Sequence, residues 1–378
     1  MLFSCSPAAP QGAPILARGT KRGARRSFTV DIHCHVETPE AAALAKDAFD
    51  PAREPLLHFA NAKTAAVSRQ QQERIYGQLT SVATRLKDMD RAGIDIQAIS
   101  PAPGQYYYWA EPGLARQTAR LINERIAEIV SEHPDRFVGL GTVPMQAPEL
   151  AVQELERAVK TLGLRGVEIN TNVMGEELSA ERFRRFFAKA QELDVLIFLH
   201  PSGFTEGRRL AQHYFINVIG NPLDSTVAVS HLIFGGVLAA YPRLKICVAH
   251  GGGFLAAYSG RMDHAHGARA DCRLAIKRKP TSYLKKLYFD TIVFTHHQLE
   301  YLARLYGSDH ILLGTDYPYD MGLPDPVRFV ASAPGLTRAD QAAILGGNAA
   351  RLLKIHMPAP AQPAAKKRRV TAPRSRRR

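Results

Sequence analysis

The sequence predicts a (β/α)8 TIM barrel, an α/β fold of eight parallel strands and their return helices. Three observations predict it. Eight short apolar runs alternate with longer amphipathic stretches along the 378 residues, the pattern of repeated parallel βα units. The hydrophobic fraction of 46% can fill a large core, and barrels of this kind commonly exceed about 200 residues as one domain. Titratable residues recur at the C-terminal ends of the apolar runs, where such barrels carry their active sites. An open doubly wound sheet is the alternative. No Gly-x-Gly-x-x-Gly string follows the first strand, which weighs against dinucleotide binding.

The first strand is read from Phe28-Thr29-Val30-Asp31-Ile32-His33-Cys34-His35-Val36, a β-branched and apolar run. Residues two apart on a strand share a face, so His33 and His35 project together. An amphipathic helix is expected near 78–92, then strand two over 96–100 (IQAIS). A helix over 116–132 leads to strand three at 137–143 (FVGLGTV). Within 148–163, Leu150, Val152, Leu155, Ala158, Val159 and Leu162 recur at helical spacing, and Gly163 ends the helix. Strand four is 166–170 (GVEIN), a helix covers 180–193, and strand five is 195–200 (VLIFLH). A longer, mostly helical insertion over 206–241 leads to strand six at 245–250 (KICVAH). Strand seven is 287–291 (LYFDT), strand eight is 310–316 (HILLGTD), and a final helix covers 338–353.

The net charge of +14 belongs to the two ends. Residues 1–30 hold Arg18, Lys21, Arg22, Arg25 and Arg26 and no acid, giving +5; the stretch after Met357 holds eight basic residues and no acid, giving +8. The body is therefore close to neutral. The division expected is a flexible basic extension over 1–28, one barrel over 29–356, and a disordered basic tail over 357–378. The tail, rich in Ala, Pro and Arg, cannot bury enough apolar surface to order itself. Its Lys366-Lys367-Arg368-Arg369 string superficially matches a nuclear-import or nucleic-acid patch. A solvated tail is the plainer reading, so nucleic acid is not an expected partner.

No run of about 18 apolar residues suggests a membrane span, and no apolar segment follows the N-terminal basic residues as a secretory signal would require. Cys5, Cys34, Cys247 and Cys272 show no CxxC spacing. Cys34 and Cys247 fall inside expected strands and read as buried, inert thiols in a reducing cytoplasm.

The strand ends carry the chemistry. His33 and His35 lie on strand one, His200 on five, His250 on six, Asp290 on seven and Asp316 on eight. Buried strand ends are costly places for titratable groups unless these are paired or bind a metal. Imidazoles with a carboxylate suit a divalent ion such as zinc or manganese. Three histidines and one aspartate would leave a coordination position open, as a catalytic site needs.

Six strings make the chain similar to a known group: DIHCHV at 31–36, RLKDMDRAGIDIQAIS at 85–100, RFVGLGTVPMQAPELAVQELE at 136–156, FLHP at 198–201, AHGGG at 249–253 and GTDYP at 314–318. Over roughly 29–355 the chain resembles the aminocarboxymuconate-semialdehyde decarboxylase group of the amidohydrolase superfamily. The resemblance implies a metal-dependent, hydrolase-like barrel in which His33, His35, His200 and Asp316 bind zinc or manganese. It implies that His250 is the acid/base residue beside the metal, with Asp316 also counted as catalytic. It also implies a homodimer, in which Arg261 crosses the interface to hold a substrate carboxylate, a task suited to bidentate guanidinium pairing.

Trp109, Tyr319 and His296 complete the expected substrate-binding set. Tyr107, Tyr108 and Trp109 form an aromatic loop that either walls the pocket or packs the loop. Glu168 reads equally as a residue of the barrel mouth or as structural, while His213 and His231 read as surface or packing residues. The chain also departs from the group in its pocket. Arg69 stands in a different setting from the group's substrate-binding arginine, and Ser202 follows the His-Pro of strand five where an aromatic is usual.

The expected function is metal-dependent, non-oxidative decarboxylation of a ring-cleavage semialdehyde, such as aminocarboxymuconate semialdehyde, or of a hydroxylated aromatic carboxylate. A metal-dependent hydrolase or hydratase of a related intermediate is the alternative. A silent barrel that binds polyanions through its basic ends is a third reading.

Overall fold

The computed structural model describes residues 27–356. The basic stretches 1–26 and 357–378, and Cys5 with them, lie outside the described residues. The strands are β1 (Val30–Val36), β2 (Ile96–Pro101), β3 (Phe137–Gly141), β4 (Gly166–Ile169), β5 (Leu196–Leu199), β6 (Lys245–Val248), β7 (Tyr288–Asp290) and β8 (Ile311–Leu312). They form one sheet in sequence order, and every ladder is parallel. The N–H of Ile32 donates to the carbonyl of Leu313 at 2.8 Å, and that of His35 to Tyr317 at 2.9 Å. The last strand thus returns to the first. This is the TIM barrel that the alternation of apolar and amphipathic runs predicts.

Two apolar layers hold it. The inner layer gathers Val30, Ile32, Ile96, Ala98, Leu140, Leu196, Phe198, Cys247 and Leu312, together with Ala349, Leu352 and Leu353 of the last helix. The outer layer lies between strands and helices and includes Cys34, Val36, Ile99, Val167 and Ile197. Burial of each large side chain contributes about 1.5–3 kcal/mol. The register of β1 shifts between Asp31 and Cys34. Val30 and Ile32 belong to the inner layer, whereas Cys34 and Val36 belong to the outer one. Beyond the shift His33 and His35 fall on the inner side, and the His33 ring meets Phe198 at 5.0 Å. Simple alternation from the strand's start would not have placed them there.

Several boundaries differ from expectation for identifiable reasons. The helix expected near 78–92 is two, Ala62–Thr80 and Val82–Ala92. Ser81 is extended between them, and its hydroxyl caps the second helix by accepting from the Thr84 N–H at 3.3 Å. The eighth strand is shorter than 310–316. The N–H groups of Thr315 and Asp316 turn to the carbonyl of His33 instead of continuing the ladder with β7. Between β5 and β6 lie a short turn of helix at Gly207–Leu210, a wide turn at Ile216–Gly220, and helices Asn221–Phe234 and Val237–Ala240. Helices Leu255–Ala268 and His296–Tyr306 have no counterpart in the sequence reading. Leu255–Ala268 buries only Leu255, Ala256, Ser259 and His266, too little for a clear apolar stripe.

Candidate active site

Period-two geometry and the β1 register shift carry His33 and His35 inward, and the ends of β5, β6 and β8 bring His200, His250 and Asp316 to meet them. The ring centres of His33 and His35 lie 5.1 Å apart, and each lies 4.9 Å from that of His200. His250 stands 5.2 Å from His33 and 5.1 Å from His200. One nitrogen or oxygen from each of His33, His200, His250 and Asp316 can be chosen with all four within 4.8 Å of one another. His35 is as near: its Nε2 is 3.5 Å from Asp316 Oδ1, against 3.3 Å for His33 Nε2.

The outer hydrogen bonds decide which way these rings face. His33 Nδ1 donates to Asp290 Oδ2 at 2.6 Å, and His35 Nδ1 donates to the Pro101 carbonyl at 3.0 Å. With both Nδ1 atoms committed, each Nε2 carries the free lone pair. Both Nε2 atoms are buried and have no hydrogen-bond partner among the described residues. Two orphaned inward lone pairs beside a carboxylate are costly without an occupant and fit a divalent cation.

The electrostatics agree with that fit. Burial pushes the His33 imidazole down, but Asp316 and Asp290 outweigh it and hold its pKa well above the ordinary value. The pull those carboxylates exert on a proton is available to a cation. Burial lowers the pKa of His200, and the neighbouring imidazoles lower it further, favouring the neutral ring that a metal needs. Burial would raise the carboxyl of Asp316, but the histidines around it hold it well below the carboxylate range.

His250 differs from His33 and His35. Its side chain is 15% exposed where theirs are 0%, so it is the imidazole open to an incoming molecule. Its backbone N–H and that of Gly251 donate to the Asp290 carboxylate at 3.0 and 2.8 Å. His250 and Asp316 both lie in the left-handed region, at φ 55° and 57°, a conformation that functional sites often impose. The turn after His250 needs its glycines. A Cβ on Gly253 would stand 2.1 Å from the Pro222 carbonyl oxygen, and one on Gly251 2.4 Å from Val293.

A family model for amidohydrolases matches residues 30–355. The chain belongs to the amidohydrolase family. Within that family, a 2-amino-3-carboxymuconate-6-semialdehyde decarboxylase of Dictyostelium discoideum is 36% identical over 272 residues, covering 72% of this amidohydrolase and 76% of the relative. A 5-carboxyvanillate decarboxylase from Sphingomonas paucimobilis superposes with a TM-score of 0.78 at 26% identity, over 87% of this chain and 99% of that one. A dihydroxybenzoic acid decarboxylase from Polaromonas sp. JS666, solved with manganese and the inhibitor 2-nitroresorcinol, superposes at 0.74 with 27% identity, over 87% and 97%.

The expected substrate-binding residues of this amidohydrolase scatter. Tyr319 meets the cluster, its ring 5.5 Å from that of His35. Trp109 is buried in its loop, its ring against Phe49 and Tyr107 and its indole N–H donating to Glu54 at 2.8 Å. Of the two roles open to the aromatic loop, packing accounts for these Trp109 contacts. His296 begins helix His296–Tyr306, where its ring stacks on Phe329 at 5.1 Å and its Nε2 lies 3.3 Å from the Ser332 hydroxyl; the structure does not bring it to the histidines. Arg261 is exposed on helix Leu255–Ala268 and has no hydrogen bond or ion pair among the described residues.

Three residues support the cluster, of which the sequence marks only Asp290. Asp290 was legible only as a polar strand end, yet it braces both His33 and the His250 turn. Asp31 accepts from the His33 N–H at 3.1 Å and the Thr315 hydroxyl at 2.7 Å, tying β1 to the segment after β8; burial pushes its carboxyl up to about 6. Tyr106, next in sequence to the aromatic run Tyr107-Tyr108-Trp109, touches both Glu168 and His200.

Proposed function

We propose that this amidohydrolase is a metal-dependent, non-oxidative decarboxylase (a carboxy-lyase) acting on a ring-cleavage semialdehyde, such as aminocarboxymuconate semialdehyde, or on a hydroxylated aromatic carboxylate. The observation that carries the proposal is the pairing of inward Nε2 atoms on His33 and His35, without hydrogen-bond partners among the described residues, with a partly open His250 beside them. Relatives named for decarboxylation of both substrate kinds support it.

His33, His35, His200 and Asp316 would hold the metal, zinc or manganese, with His250 left free. The metal would supply Lewis-acid polarisation of the substrate's oxygen atoms and stabilise the charge that develops on them. His250, whose Nε2 lies 3.8 Å from Asp316 Oδ2, would hold the proton that the reaction consumes. The carbon–carboxylate bond breaks, carbon dioxide leaves, and the electron pair kept by the ring or chain carbon takes up that proton. Asp290 keeps the His250 turn in place, and Tyr319 presents its ring at the cluster's edge.

Arg261 would hold the substrate carboxylate across a homodimer interface; its exposure and its lack of an internal partner among the described residues support this. No helix among the described residues is long and apolar enough to cross a membrane. The free thiols of Cys34, Cys247 and Cys272 support a cytoplasmic location.

The test is carbon dioxide release from the zinc- or manganese-loaded protein with a panel of muconate semialdehydes and hydroxybenzoates. Release that disappears in His250→Ala is the expected result. Hydrolysis or hydration of related compounds with no carbon dioxide would overturn the proposal.

A further inference from the structure

We propose that Tyr106 and Glu168 form a buried positioning pair that sets the tautomer of His200, and so the direction of its metal-binding lone pair; this rests on the metal-dependent reading above. Glu168 lies in β4 and is 0% exposed; Tyr106 follows β2 and is 6% exposed. The Tyr106 hydroxyl donates to Glu168 Oε1, and its oxygen lies 3.3 Å from His200 Nδ1 and 3.4 Å from the His200 carbonyl oxygen.

Proton counting gives the pair its meaning. A phenol has one hydrogen to donate. Given to Glu168, it leaves only lone pairs facing His200. Nδ1 of His200 must then carry the ring hydrogen and donate, so Nε2 holds the free lone pair. This matches His33 and His35, whose Nδ1 atoms donate to Asp290 and Pro101. All three rings then present Nε2 to one place. Remove the carboxylate, and the phenol is free to turn its hydrogen onto Nδ1, which would place a hydrogen on Nε2 and block it as a ligand.

The loop is built to hold the phenol still. Gln105 exchanges two hydrogen bonds of 2.9 Å with the backbone of Thr38, and Gln146 donates to the Tyr107 carbonyl at 2.9 Å. Tyr107 itself sits at φ 51°, in the left-handed region. The second oxygen of Glu168 has no hydrogen-bond partner among the described residues and lies 3.7 Å from His35 Nδ1, so the same carboxylate borders His35 directly and reaches His200 through Tyr106.

The experiment measures zinc affinity of the full chain by competition with a chelator, and the His200 tautomer in the metal-free protein by NMR of 15N-labelled histidine. In Tyr106→Phe, zinc should bind about tenfold more weakly, within the range for losing a ligand's outer partner. Glu168→Ala should lose more than Tyr106→Phe and show the Nε2–H tautomer at His200. The double variant should bind zinc better than Glu168→Ala alone, because removing the misdirected hydroxyl removes the harm. A purely structural role predicts losses that add. Additive losses, or a Tyr106→Phe protein that binds zinc like wild type, overturn the pairing while leaving the proposed function standing. A wild-type protein that binds neither zinc nor manganese overturns both. If Glu168→Ala does not fold, the tautomer in Tyr106→Phe decides: an unchanged, pure Nδ1–H ring overturns the pairing, and a mixture supports it.

Discussion

His33 and Arg261 stand at opposite extremes of burial. His33 is fully buried, its Nδ1 bonded to Asp290 from β7 and its backbone N–H to Asp31. Arg261 is exposed and has no hydrogen bond or ion pair among the described residues. The same contrast separates the two regions as wholes. Side chains at the strand ends are fixed by partners from other strands, so the barrel itself enforces their geometry. Away from the strand ends, Trp109 rests on Phe49 and Glu54 and His296 on Phe329 and Ser332, side chains of loops and helices and not of the barrel strands, while Arg261 has no partner among the described residues. Shared metal chemistry with divergent substrates is what such a division permits.

The sharpest way to break this picture lies inside the strand-end cluster. His35 and His250 compete for the fourth ligand place, since a compact donor group can be drawn with His250 in it. Under the proposed assignment, His35→Ala abolishes stoichiometric metal binding and activity together. His250→Ala retains the metal and loses about 10²–10⁴-fold in kcat, the usual worth of a general acid or base. Metal analysis of the two purified variants decides the matter. Loss of metal from His250→Ala and its retention in His35→Ala would exchange their roles.

Asp290 tests whether bracing from neighbouring strands matters as much as the contrast implies. In Asp290→Asn the side chain keeps one acceptor oxygen but loses its charge, and with it part of what orients His33 and the His250 turn. Metal affinity should fall about 10- to 100-fold, read by chelator competition. An unchanged affinity would mean that the ligands orient themselves without their outer partners.

The two regions also differ in how far the sequence disclosed them. Strands have a fixed period and barrels a fixed functional end, so an inward imidazole at the end of β5 or a carboxylate after β8 can be located by counting. Even here His33 and His35 reach the inner face through a register shift that no composition marks. Asp290 was visible as a polar strand end, but its acceptance of bonds from residues 257 and 40 positions away was not. Rim residues depend on loop geometry, which has no period. For Trp109 the sequence therefore leaves pocket wall and loop packing both open, and the structure packs its ring against Phe49 with its N–H on Glu54. His296 followed a strand in sequence, but helix His296–Tyr306 turns its ring onto Phe329.

On the rim, Arg261 and His296 should separate cleanly. Loss of a charge-assisted carboxylate contact is worth about 1.5–3 kcal/mol, so Arg261→Ala should lower kcat/KM roughly 10- to 100-fold with metal content intact. His296→Ala should stay within about 0.5 kcal/mol, as expected for a partly exposed ring away from the chemistry. Steady-state kinetics on metal-loaded enzyme measures both. A KM that rises in His296→Ala and not in Arg261→Ala would move the substrate to the other side of the mouth.

Glu54 gives a rim effect with no consequence for turnover. Burial pushes its carboxyl from 4.5 up to about 7, despite the stabilising bond from the Trp109 indole. Between those values the folded protein holds a proton that the unfolded chain has released. Stability therefore falls as pH rises through the window and levels off above about 7. The shift corresponds to at most about 3 kcal/mol, reduced by the partial exposure of the group. Glu54→Gln keeps an oxygen for the indole and removes the titration. Its stability relative to wild type should be lowest near pH 5 and rise towards pH 8, with kcat unchanged. Urea midpoints at the two pH values supply the measurement. Parallel shifts in both proteins would show that Glu54 ionises freely and that the Trp109 loop is less tightly closed than its contacts indicate. A change in kcat would instead join this loop to the chemistry and erase the division between strand ends and rim.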